Sequence, residues 1–124
     1  MSDHVILMER DFLVREGLAA LLEGWGFDVA RGAEPREALA RASDNAAPRL
    51  AVVSAPNGDG CIGANWIASV RYHYRDLPSV LIADNFSDAI TLRNVEYIAW
   101  PASSAALRRA VAKITDANST AATP

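Results

Sequence analysis

The fold class this chain predicts is an open parallel α/β sheet of five strands, with helices on both faces. Two observations carry it. Short apolar runs alternate with stretches whose apolar residues recur at helical spacing, which is the signature of strands joined by helical crossovers. The run Leu50-Ala51-Val52-Val53 is apolar throughout, as a central strand covered on both faces must be. In such sheets the chemistry sits just outside the carboxyl ends of the strands. Ser54, directly after that run, is therefore where a site is sought first.

At 124 residues the chain is long enough for one domain with one sizeable core. It is 51% hydrophobic and 22% charged, the balance of a soluble globular protein. A net charge of −3 gives no basic surplus for nucleic-acid binding. The single cysteine, Cys61, excludes an internal disulfide and fits a reducing compartment. No apolar run approaches the roughly 18 residues of a membrane span, and Met1-Ser2-Asp3-His4 lacks the basic region of a signal peptide. The cytoplasm is the expected location.

Taken in order, His4 to Met8 reads as the first strand, and Glu9-Arg10-Asp11 as a charged loop at its end. Asp11 is placed to cap the next helix, whose apolar face is Val14, Leu18, Leu21 and Leu22. Gly24-Trp25-Gly26 ends that helix, and Phe27 to Ala30 is the second strand. Gly32-Ala33-Glu34-Pro35 opens a second helix with Pro35 in its first turn, faced by Ala38, Leu39 and Ala42. Leu50 to Val53 is the third strand. Ile62, Trp66, Ile67, Val70 and Tyr74 mark the third helix. Ser79 to Ala83 is the fourth strand, and Ala89 to Arg93 leaves room for one or two helical turns. Val95 to Ala99 is the fifth strand, ending in Trp100-Pro101. Ser103 or Ser104 caps a last helix faced by Leu107, Val111 and Ile114. Residues 1–117 make the domain, and 118–124 a small, polar tail or linker.

Three segments then carry a resemblance. Ile6-Leu7-Met8-Glu9-Arg10-Asp11, Leu50-Ala51-Val52-Val53 and Tyr97-Ile98-Ala99-Trp100-Pro101 fall in the order and spacing of the receiver domain of two-component response regulators. The chain resembles that family over residues 4 to 115. The resemblance implies a flavodoxin-like receiver fold of strand order 2-1-3-4-5, with the fourth helix short or missing because the span from Ala83 to Tyr97 is short. In the family, two adjacent acids and an acceptor aspartate hold Mg²⁺. The aspartate takes the phosphoryl group, and a Ser or Thr and a Lys bind its oxygens. Here Glu9 keeps the first acid and Arg10 stands at the second, with Asp11 beside it. Ser54 stands at the acceptor, Ala83 at the Ser/Thr and Trp100 at the Lys, while Pro101 is retained. A neutral serine is a poor nucleophile without a base beside it and a poor Mg²⁺ ligand. The resemblance thus implies a degenerate, pseudo-receiver pocket with no cofactor, and Asp59 and Asp84 as the alternatives for a displaced acceptor.

Other motifs read more plainly. Gly58-Asp59-Gly60-Cys61-Ile62-Gly63 is literally G-x-G-x-x-G, yet it follows the third strand, and Asp59 repels phosphate, so it is read as a turn. Glu9, Asp11, Asp59 and Asp84 converge on one edge; the expectation is that Arg10 pairs with them in a salt-bridge cluster and stands in for a metal. Trp100 either plugs the old pocket or anchors a partner. Arg71-Tyr72-His73-Tyr74-Arg75 is read as the polar face and end of the third helix.

The function implied is a non-catalytic signalling module of a two-component or phosphorelay pathway, acting by protein–protein contact without aspartyl phosphorylation. Its expected partner is a histidine kinase or another signalling domain, or a second copy of the chain, with neither nucleic acid nor membrane involved. The expected partner surface is Phe86, Arg93, Tyr97, Trp100 and Arg108. Two alternatives stand beside it: a small-ligand, nucleotide-sensing pseudo-receiver, and a phosphorelay receiver with a displaced acceptor.

Overall fold

The computed structural model describes residues 3–42, 47–55, 60–84 and 92–122. Five strands, β1 (His4–Met8), β2 (Asp28–Gly32), β3 (Leu50–Ala55), β4 (Ser79–Ala83) and β5 (Val95–Ala99), alternate with α1 (Phe12–Gly24), α2 (Pro35–Ala42), α3 (Gly60–His73) and α4 (Ser104–Ala122). The strands form one sheet in the order β2-β1-β3-β4-β5, parallel at each pairing. This is the doubly wound, flavodoxin-like order that the resemblance implied.

Side chains alternate across a strand, and the core divides accordingly. Val5 and Leu7, Leu50 and Val52, and Val80 and Ile82 face α1 and α4, meeting Ala19, Leu22, Leu107, Val111 and Ile114. Ile6 and Met8, Ala51 and Val53, and Leu81 face α2 and α3, meeting Ala38, Ala42, Ile67 and Val70. Each fully buried Val, Leu or Ile contributes about 1.5–3 kcal/mol, so the uniform burial of β3 makes it the centre of the fold. Edge strands β2 and β5 are only half covered.

The caps follow the sequence. Asp11 accepts a hydrogen bond from the Val14 N–H at 3.0 Å. Ser103 Oγ accepts from the Ala106 N–H at 3.0 Å. Gly26, at φ +99°, takes the left-handed turn after α1 that a side chain would resist.

Several boundaries differ from the sequence reading. The second strand is Asp28–Gly32, later than expected, because the Phe27 N–H is held by the Leu22 carbonyl at 3.1 Å in the turn out of α1. Gly32 therefore ends a strand and does not open a helix; α2 starts at Pro35. The third strand runs on to Ala55, so Ser54 lies inside it. The last helix continues to Ala122, past the boundary at residue 117. Four helices are described; the short helix expected at Ala89–Arg93 falls mostly outside the described residues.

At Gly32 α2 packs tightly on the sheet. A Cβ there would lie 2.5 Å from the Ala38 nitrogen and 3.0 Å from its Cα. Those are backbone atoms, which move only with the helix. Gly32→Ala is therefore expected to lower stability by about 2 kcal/mol, within the usual cost of overpacking, and urea denaturation measures it. An unchanged midpoint would mean that α2 shifts freely on β2.

Candidate functional site at the carboxyl edge of the sheet

Two adjacent apolar rows end in polar residues. Val5 and Leu7 on β1 and Leu50 and Val52 on β3 line the α1/α4 face. In the parallel register Leu7 pairs with Val52, and Met8 with Val53. One step on, the same rows reach Glu9 and Ser54. Both are almost completely covered, Glu9 at 2% and Ser54 at 1% exposure. The register sets the ends of the two strands side by side, with Glu9 just past β1 and Ser54 inside β3.

Glu9 is held but only half satisfied. Its Oε1 accepts from the Asp11 N–H at 3.0 Å, and its backbone N–H donates to the Gly32 carbonyl at 3.1 Å. Arg15 Nη1 donates to the Glu9 carbonyl at 2.9 Å, tying the loop to α1. Glu9 Oε2 and Ser54 Oγ have no hydrogen-bond partner among the described residues. Buried polar atoms without partners cost free energy, so two at one strand edge mark a place where the core gives way to polar chemistry.

The expected salt-bridge cluster does not form among the described residues. Arg10 is exposed, and its guanidinium lies 5.4 Å from the centroid of the Trp66 ring. The reason is local: Glu9 turns inward and spends one oxygen on a backbone N–H, while Arg10, next in the chain, points outward. Asp11 is exposed and spends its carboxylate on the α1 cap. No group of three His, Cys, Asp or Glu side chains suited to a metal occurs among the described residues.

The remaining expected residues are spread along the same edge. Ala83 is buried at the end of β4, in register with Ala55 on one side and Ala99 on the other. It has no hydroxyl to offer an anion. Trp100 follows β5; its N–H donates to the Ala83 carbonyl at 2.9 Å, and its half-buried side chain packs against the α1/α4 core. Pro101, joined to Trp100 by a cis peptide, is exposed. Asp84 is exposed directly after β4. Asp59 lies outside the described residues, as does Phe86.

On the expected partner surface, Tyr97 is partly exposed on β5, and its hydroxyl oxygen accepts from the Leu92 N–H at 3.1 Å. Arg93 is exposed. Arg108 is exposed on α4, with its guanidinium 5.8 Å from the centroid of the Trp25 ring. No described helix is long and apolar enough to cross a membrane.

Two features of α3 were not legible as such. Arg71, read as part of a solvated helix end, is half-buried and acts as a clamp: Nε and Nη2 both donate to the Leu77 carbonyl, at 3.0 and 2.9 Å, and Nη2 also donates to the Asn94 carbonyl at 3.0 Å. Burial lowers its pKa, an effect opposed by nearby Asp76. Between α2 and α3 lies an open groove of about 880 Å³, lined in part by Leu39, Trp66, Tyr72 and His73. The spacing of Trp66, Ser69 and His73, at i, i+3 and i+7 on α3, was the signal that could have found it.

No family model matches the chain, and no curated relative matches it. Solved structures do. A response regulator receiver protein from Sinorhizobium medicae is 18% identical, with a TM-score of 0.76 over 94% of this chain and 96% of its own. The Vibrio cholerae chemotaxis protein CheY4 is 19% identical, with a TM-score of 0.75 over 92% and 99% of the two chains. The receiver domain of the hybrid histidine kinase CckA is 22% identical, with a TM-score of 0.71 over 90% and 98%. At these identities the match establishes the receiver-type fold.

Proposed function

We propose that this chain is a pseudo-receiver: a signalling domain of a two-component or phosphorelay pathway that works by protein–protein contact without aspartyl phosphorylation. The observation that carries it is Ser54. It sits at the acceptor position of the resemblance, 1% exposed, with Arg10 in place of the second acid and turned out toward Trp66. In-line phosphoryl transfer needs a positioned nucleophile and cationic groups on the transferring oxygens. Ser54 supplies neither a carboxylate nor a base, and Ala83 and Trp100 supply no oxygen ligand.

We assign residues 1–117 to the domain, with α4 continuing past that boundary to Ala122, and place it in the cytoplasm. Its partner is a histidine kinase or another signalling domain, met at the β5 edge by Tyr97 and Trp100, with Arg108 on α4 assigned from the sequence. Half-covered β5 supports that choice, since a strand with exposed and half-buried positions can still gain burial in a complex. Phe86 and Arg93 are assigned to the same face from the sequence.

The test is an amide NMR titration with Mg²⁺ and beryllofluoride, paired with mass spectrometry after incubation with acetyl phosphate. The expected result is a dispersed spectrum without shifts at Glu9, Ser54 or Ala83, and no added phosphoryl mass. Clustered shifts there would show that the pocket retains phosphoryl chemistry. A phosphoryl group on Asp59 or Asp84 would instead establish a displaced acceptor. Either result overturns the proposal.

A further inference from the structure

We infer that the groove between α2 and α3 is a binding site for a small planar aromatic ligand carrying a single anionic group. The inference stands apart from the proposed signalling role. At about 880 Å³ the groove falls in the range of small-molecule sites, which are mostly apolar with a few placed polar groups. Leu39 and Trp66 line it while packing against the α2/α3 core, so its apolar wall is anchored. The Trp66 ring is further held by the Arg10 guanidinium. Tyr72 lines the groove at 88% exposure, so its ring face is open to a ligand. Its edge-on contact with His73, at 5.4 Å between centroids, gives it a fixed neighbour.

Aromatic walls select a flat ring, which stacks offset or edge-on. The charge comes from Arg36, which also lines the groove, is exposed and has no ion-pair partner among the described residues. Its neighbour Arg41 is already paired with Glu37 at 3.8 Å. A guanidinium is the side chain suited to a carboxylate or sulfonate, because its fork donates two parallel hydrogen bonds. Glu34 lines the groove as well. With one carboxylate and one arginine on its lining, the groove suits at most a single anionic group and disfavours a polyphosphate, which separates this site from a nucleotide pocket.

The experiment is an amide NMR titration of the full chain with naphthalene-1-sulfonate, using 1-naphthalenemethanol as the neutral comparator. The expected result is saturable shifts at Arg36, Leu39, Ser69, Tyr72, His73 and the Trp66 indole N–H. The sulfonate should bind about tenfold more tightly than the alcohol, the scale of one charge-assisted hydrogen-bonded contact. Arg36→Ala should abolish that preference. Tyr72→Ala should weaken both probes about threefold, a modest stacking loss. Both positions are exposed, so each variant keeps a dispersed spectrum. Equal affinity for the two probes overturns the inference, as does a lack of saturation. Shifts centred instead on Phe12 and Leu13, the other exposed apolar pair, overturn it too.

Discussion

Replacing Arg71 with alanine is expected to cost about 3 kcal/mol of stability, the upper part of the range for hydrogen bonds to a charged group. For a domain of this size that lowers the melting temperature by about 10 °C. The clamp joins three elements at the amino edge of the sheet. It sits in the last turn of α3, where a cation complements the helix dipole. It reaches the Leu77 carbonyl ahead of β4 and the Asn94 carbonyl ahead of β5. The same junction has little slack. Ser79 Oγ also donates to the Leu77 carbonyl at 3.0 Å, Asn94 Nδ2 donates to the Asp76 carbonyl at 3.1 Å, and Asp76 and Asn94 hold φ of 56° and 62°. Left-handed backbone at Asp and Asn is tolerated when the surroundings hold it. Arg71→Lys should recover only part of the loss, because an ammonium keeps the charge and cannot reproduce the fork. Thermal melts of the wild type and both variants read this directly. Equal melting temperatures for Arg71→Lys and the wild type would mean that charge alone, and not the fork, holds the junction.

The second large effect lies at the opposite edge. The double variant Arg10→Asp with Ser54→Asp is expected to bind Mg²⁺ at least tenfold more tightly than the wild type, about 1.4 kcal/mol. Glu9 is already in place, with Oε2 unpartnered. Ser54→Asp adds a hard oxygen donor, the kind Mg²⁺ takes, in the row beside Glu9, and Arg10→Asp exchanges a fixed positive charge in the adjoining turn for a carboxylate that must turn inward to join it. Without metal, the added like charges beside Glu9 should destabilise the variant. With about 10 mM Mg²⁺ and a dissociation constant near 1 mM, mass action returns about 1.4 kcal/mol. The readout is therefore a melting temperature that rises with Mg²⁺ in the double variant and stays flat in the wild type. Arg10→Asp alone should show a smaller rise. A folded double variant that does not respond to Mg²⁺ would mean that Glu9 cannot turn Oε2 toward the edge, and that the buried pair is only a fault in the core.

Most of the fold was legible in the chain because burial imposes periodicity. β1, β4 and β5 stand where their apolar runs placed them, and Asp11 and Ser103 cap as their chemistry requires. The alternation from strand to helix also implied the parallel order, since each crossover returns the chain to the same edge. Ser54 could be singled out in advance because it directly follows such a run, and Glu9 through the resemblance.

Tertiary structure decided what depends on which side chain lies across from which. Arg10 sits on a ring of α3 because the turn after β1 points it away from Glu9, and no local pattern encodes that. Arg71 is a clamp because two carbonyls, six and 23 residues further along the chain, converge on it in space. Gly32 belongs to a strand because it pairs with Met8 of β1, although its local neighbours read as a helix start. The groove exists only between two helices. The sequence by itself determined the periodic, locally satisfied part of this protein: strands, helices and caps. The directions of exposed side chains, the helix–sheet distances and the space between helices came from packing, because those contacts join residues far apart in the chain.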